Sequence, residues 1–204
     1  MPDRNTPTTG FRGPYAPHLW EKGKIAGGRT EVAELPDDPA GCQFKYAVKL
    51  GGSGVTPRST TFRVTAAEAG IVSFDYRYEF YHAWFQVTAE FDVFAEAECG
   101  RQTLQVLRFV GPQSVGPKVF CGSVAIHVQK GMPFGFVVGG SNFDSDSRLE
   151  GTLTITDFAA PVGVDFIPPS AVTLDSPPAD TPRTWDEPAP PRKRRRLGGG
   201  QTGG

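Results

Sequence analysis

Residues 71–80 read IVSFDYRYEF. Val72, Phe74, Tyr76, Tyr78 and Phe80 alternate with Ser73, Asp75, Arg77 and Glu79. At about 3.6 residues per helical turn, those five apolar groups would scatter around the circumference. On a strand they gather on one face, with the charges facing solvent. The stretch is therefore a half-buried strand, and the fold follows from how often its pattern recurs.

It recurs along most of the chain. QFKYAVKL (43–50) places Phe44, Tyr46, Val48 and Leu50 on one face, and TTFRVT (60–65) gives Phe62 and Val64. FQVTAEFDVF (85–94) aligns Phe85, Val87, Ala89, Phe91 and Val93. VFCGSVAIHVQ (119–129) turns Val124, Ile126 and Val128 inward. PFGFVVGG supplies Phe134, Phe136 and Val138, and LEGTLTITDF (149–158) supplies Leu153 and Ile155. LQVLRFV (104–110) is apolar nearly throughout and suits a strand covered on both faces. Gly-, Pro- and Asp-rich turns separate these runs, and none has helical period. Eight or nine such strands predict an all-β fold, an antiparallel β-sandwich of the jelly-roll kind.

The flanks differ in composition. Residues 1–10 are polar and are expected to form a flexible arm. Phe11, Tyr15 and Trp20 then offer aromatic anchors that can pin the leading segment onto a sheet. The domain is read as 11–160. Residues 161–204 are Pro-rich with few regularly spaced apolar groups, so they are expected to remain a disordered tail. That tail holds Arg192, Lys193, Arg194, Arg195 and Arg196 behind two prolines. Formal net charge is −1; without those five cations, 16 basic residues face 22 acidic ones, or −6. A body of that sign is a poor phosphate surface, because nucleic-acid binding needs clustered Lys and Arg.

Within 11–161, GPYAPHLW, TTFRVTAAEAGIVSFDYRY and PFGFVVGGSNFDSDSRLEGTLTITDFAAP stand in an order and spacing that resembles a β-sandwich repeat of bacterial secreted and cell-surface proteins. That resemblance implies a non-catalytic module of surface architecture or adhesion, with no catalytic residue to transfer. Such repeats usually follow a signal peptide, whereas MPDRNTPTTG has no apolar run, and no Sec signal is expected there. No stretch approaches the ~18 apolar residues of a membrane-spanning helix.

The basic run fits the K-[KR]-x-[KR] pattern of a monopartite nuclear localisation signal. An extended segment can lay successive cations into the acidic groove of an importin-α-type receptor. Nuclear delivery in a eukaryotic cell is the leading expectation; a surface-type domain joined to such a tail suggests an acquired gene, as in a large DNA virus. The alternative is a surface, adhesion or virion module that binds glycans or proteins, with the tail as an electrostatic anchor. Five charges give only weak, salt-sensitive contact with nucleic acid.

Other constellations carry less. Tyr81, His82 and Trp84, in YHAWF, form an aromatic cluster able to stack on a sugar or a partner protein, though core packing or a hairpin corner explains it as well. Asn142, Asp144, Asp146 and Glu150 alternate oxygen ligands as Ca²⁺ requires, but without the EF-hand pattern; a polar hairpin loop is the plainer reading. Cys42, Cys99 and Cys121 lack C-x-x-C spacing and read as core or free thiols, Cys99 and Cys121 being the pair that could be bridged. His18, His82 and His127 read as surface or turn histidines, and GGGQTGG as a flexible end rather than a conjugated di-glycine. No G-x-S-x-G, P-loop or H-E-x-x-H is present, so neither cofactor nor catalytic residue is assigned. Exposed edge strands leave homo-oligomerisation open.

Overall fold

A computed structural model of the chain describes residues 7–25, 28–38, 40–49, 58–82, 86–112, 117–142 and 148–163. By its internal contacts the chain divides into Met1–Ser170 and Ala171–Gly204, and every described residue lies in the first unit.

Eight long strands build the fold. They are β4 (Cys42–Lys49), β5 (Arg58–Thr65), β6 (Gly70–His82), β7 (Gln86–Ala97), β8 (Gly100–Pro112), β9 (Lys118–Val128), β10 (Pro133–Asn142) and β11 (Arg148–Pro161). They pair as nested antiparallel partners, β7 with β8, β6 with β9, β5 with β10 and β4 with β11. The chain is thus one long ribbon folded at the two-residue turn Glu98–Cys99 and then rolled up. Rolling divides it into sheets ordered β4-β11-β6-β9 and β5-β10-β7-β8, which is the jelly roll. Three short strands that the alternation does not reveal extend it. β1 (Pro7–Thr9) pairs with the end of β11, β2 (Glu21–Lys22) with β5, and β3 (Arg29–Glu34) with β4. The described part of the expected N-terminal arm is therefore a strand.

The alternating residues of β6 do turn inward. Val72, Phe74, Tyr78 and Phe80 are buried, and they join Phe44, Phe62, Phe91, Phe136 and Leu153 in one continuous core. The leading segment is pinned as its aromatics suggest. Trp20 stacks on Phe136 with ring centroids 5.2 Å apart and donates its indole N–H to the Tyr15 carbonyl at 3.1 Å. The buried Tyr15 hydroxyl donates to the Pro161 carbonyl at 2.6 Å and accepts the Ala67 N–H at 3.1 Å. One side chain thereby ties together the N-terminal segment, the β5–β6 turn and the end of β11.

Two features depart from the sequence reading. LQVLRFV is not covered on both faces: it lies in β8, the edge of its sheet, with Leu104 45% and Val110 58% exposed. Apolar content alone cannot say whether a further strand exists to cover it. The strands also run closer to the Glu98–Cys99 turn than their apolar residues suggest, because Glu96 and Arg101 pair across the hairpin at 2.8 Å. In β11 the register shifts between Thr156 and Ala159. Asp157 adopts φ 49° there, a left-handed conformation that Asp tolerates better than most residues. The shift re-aims the strand, so that Phe158 is buried and Asp157 exposed.

Candidate functional site: a groove on the outer face of one sheet

The outer face of the β3-β4-β11-β6-β9 sheet is built from the residues between the core positions. Strand register sets them in rows. Arg29, Ala47, Glu150 and Tyr81 form one row across β3, β4, β11 and β6, and Glu31, Lys45, Thr152 and Glu79 form the next. In both rows the middle of the sheet carries a small residue, Ala47 in one and Thr152 in the other. Longer side chains surround these: Arg29 and Glu31 on β3, Lys45 on β4, Glu150 on β11, and Glu79 and Tyr81 on β6. The result is a groove of about 280 Å³ lined by these residues and Pro117. A second depression, bounded by Gly28, Arg29, Ala47 and Arg148, adjoins it.

A tightly fixed layer lies under the floor. Gly151 stands between Tyr46 and Phe80 on the inner face. A β-carbon at Gly151 would strike the Tyr46 ring. Without one, Tyr46 lies over the glycine and its hydroxyl meets that of Tyr78 at 2.5 Å. Tyr78 reaches on to the Glu90 carbonyl in the other sheet at 3.5 Å. Burial pushes both phenols above their ordinary range, and for Tyr78 the neighbouring Tyr46 adds to the effect. They are neutral packing and hydrogen-bonding groups that hold β4, β11 and β6 in register.

Electrostatically the groove is mixed. Arg77 pairs with Glu79 at 2.6 Å and Arg148 with Glu150 at 3.6 Å, each pair on a single strand and largely solvated. Pairs this exposed add little stability, but they orient the carboxylates along the face. Tyr81 is 45% exposed and lies directly opposite Glu150 in the β6–β11 register.

Two residues singled out in the sequence for unrelated reasons, Tyr81 as a stacking aromatic and Glu150 as a metal ligand, are thus cross-strand neighbours. The remaining candidates do not join them here. Trp84, Asp144, Asp146 and Arg192 to Arg196 lie outside the described residues. His82 and Asn142 occupy the ends of β6 and β10, and Leu149 of β11 is opposite His82. No cluster of metal-ligating side chains occurs among the described residues. His18 and His127 are exposed. All three cysteines are free thiols. Cys99 sits in the β7–β8 turn and Cys121 on β9 of the other sheet, so the bridge between them is not formed. Cys42 is buried, donates to the Ala33 carbonyl at 3.3 Å, and is pushed by burial up to about 12. Arg29, Glu31, Lys45 and Thr152 were missed in the sequence. Each is an ordinary polar position of a strand, and only the register places them beside Tyr81.

No family model matches this chain, and no curated protein matches it. Solved structures show partial similarity to it. One comes from a study of carbohydrate-binding modules of the β-sandwich superfamily; its TM-score is 0.40 at 4% identity, covering 78% of this chain and 62%, less than two thirds, of the other. A second is the N-terminal cellulose-binding domain of a Cellulomonas fimi β-1,4-glucanase, with TM-score 0.36 at 14% identity, covering 72% and 90%. A third is a chain of infectious bursal disease virus, with TM-score 0.39 at 10% identity, covering 69% and 34%. At TM-scores and identities this low the likenesses carry neither ligand nor activity to this chain.

Proposed function

We propose that the jelly roll is a non-catalytic binding module and that its outer-face groove receives a saccharide chain. The observation that carries this reading is the half-exposed Tyr81 ring set opposite Glu150, above a floor of Ala47 and Thr152 and facing the cations Arg29 and Lys45. A pyranose ring offers an apolar C–H face to an aromatic ring. Its hydroxyls take charge-assisted hydrogen bonds from carboxylate, ammonium and guanidinium groups. A fixed floor reduces the ordering cost of binding.

The test is a glycan array probed with the full chain, followed by calorimetry on any hit. Tyr81→Ala and Glu150→Gln should each weaken binding about tenfold or more, as expected for losing ~1.4 kcal/mol of contact. Binding that survives both substitutions would remove the groove from the reading; an array without a hit would remove the saccharide.

A second proposal concerns the tail, and it rests on the sequence alone: Arg192, Lys193, Arg194, Arg195 and Arg196 act as a nuclear address read by an importin-α-type receptor. Residues 186–204 fused to a fluorescent protein too large for passive entry should accumulate in the nucleus. A copy with Lys193, Arg194 and Arg195 changed to Ala should not. Equal cytoplasmic signal from the two would reject the address.

A further inference from the structure

The sandwich has four edges, and they are not alike. β2 is two residues long, and β3 carries Arg29, Glu31 and Glu34. β8 is broken by a register shift and carries Arg101 and Arg108. Short length, charge and bulges are the means by which sheets discourage pairing with another chain. β9 has only one of them, the charge of Lys118 at its first residue. It runs eleven residues, Lys118–Val128, with an unbroken register against β6. Between Lys118 and His127 it contains no charged residue and no proline. Its solvent side presents Val119, Cys121, Ser123, Ala125 and His127, all exposed. No strand pairs with its far side among the described residues.

We propose that β9 is an interaction edge whose occupant is β9 of a second copy of this chain, paired antiparallel about a two-fold axis at Ser123. In that register the whole strand is matched, because Ser123 is its midpoint. Phe120 meets Ile126 of the second copy and Gly122 meets Val124 on the inner face. Cys121 meets Ala125 and Val119 meets His127 on the outer face. Lys118 meets Val128, so no charge faces its like, and the two sheets continue as one.

The area is adequate. At about 3.3 Å per residue the strand is roughly 36 Å long, and the flank of a two-sheet sandwich is about 20 Å thick, giving roughly 700 Å² per copy. A stable interface buries about 800 Å² per partner. β8 lies on the same flank, its Phe109 6.0 Å from Phe120, and adds the exposed Leu104, which shares Phe109's face of the strand.

The register makes the test specific. In Cys121→Lys/Ala125→Lys, lysine faces lysine twice across the axis. In Cys121→Glu/Ala125→Lys, glutamate faces lysine twice. Both positions are exposed, and thermal melts would verify that each variant keeps the fold. Sedimentation of the full chain over a dilution series should show a dimer for the wild type, dissociation about 10- to 30-fold easier for the Lys/Lys variant, and recovery for the Glu/Lys variant. A wild type that stays monomeric throughout would overturn the proposal. So would a dimer equally stable in the Lys/Lys variant, which would locate self-association elsewhere, or a Glu/Lys variant no tighter than the Lys/Lys one.

Discussion

Tyr15→Phe isolates one hydroxyl while keeping the ring. The ring packs edge-on against Phe134 and Phe158, at centroid distances of 5.9 and 5.7 Å, and the substitution leaves those contacts in place. What goes is the donor to the Pro161 carbonyl at 2.6 Å and the acceptor of the Ala67 N–H at 3.1 Å. Pro161 is buried and Ala67 only partly so. The carbonyl therefore bears most of an unsatisfied-group penalty of about 1–3 kcal/mol, while water can reach the Ala67 amide. Relief from burying a hydroxyl offsets part of the total, leaving a net loss of about 2 kcal/mol. For a domain of this size, ~1 kcal/mol moves the melting temperature by about 2–4 °C, so a fall of about 4–8 °C is expected. The assay is a circular-dichroism melt paired with urea unfolding, in which the midpoint should fall and the slope stay constant. A drop under about 1 °C would refute the view that this hydroxyl clamps the N-terminal segment to β11.

Three further outcomes follow from the same structure. Gly151→Ala forces the Tyr46 ring off its place, and should cost about 1–3 kcal/mol by overpacking and abolish whatever the groove binds; unchanged urea stability would contradict it. Trp20→Ala empties a buried site stacked on Phe136 and should cost about 3–5 kcal/mol, measured by the same melts. The pH dependence has a defined sign. Cys42, ordinarily at 9.0, and Tyr15, Tyr46 and Tyr78, ordinarily at 10.0, all keep their protons to higher pH when folded. Above those values the unfolded chain binds fewer protons than the folded one, so stability falls as pH rises. It should be complete below pH 9, decline first through Cys42 and then through the tyrosines, by up to ~1.4 kcal/mol per pH unit for each group. Melts from pH 8 upward should show this, and Cys42→Ala should move the onset to the tyrosine range.

The alternation in IVSFDYRYEF and its counterparts determined the long alternating strands, their buried faces and the fold class, because which face a strand residue takes is a local matter of period two. The anchoring aromatics of the leading segment were legible for a similar reason: large apolar groups outside a strand have to be covered by something. Only the tertiary structure decided what lies beside what. The apolar run at 104–110 became an edge, since burial on a second face depends on whether a further strand exists. Phe158 turned inward through a register shift that no periodicity announces. Tyr81 and Glu150 were each visible as chemistry, one as an aromatic and one as an oxygen ligand, yet their partnership exists only through the pairing of β6 with β11. Pairing between strands so distant in the chain is set by the packing of the whole ribbon on one core. A groove drawn across four strands is therefore a property of the register rather than of any segment that contributes to it.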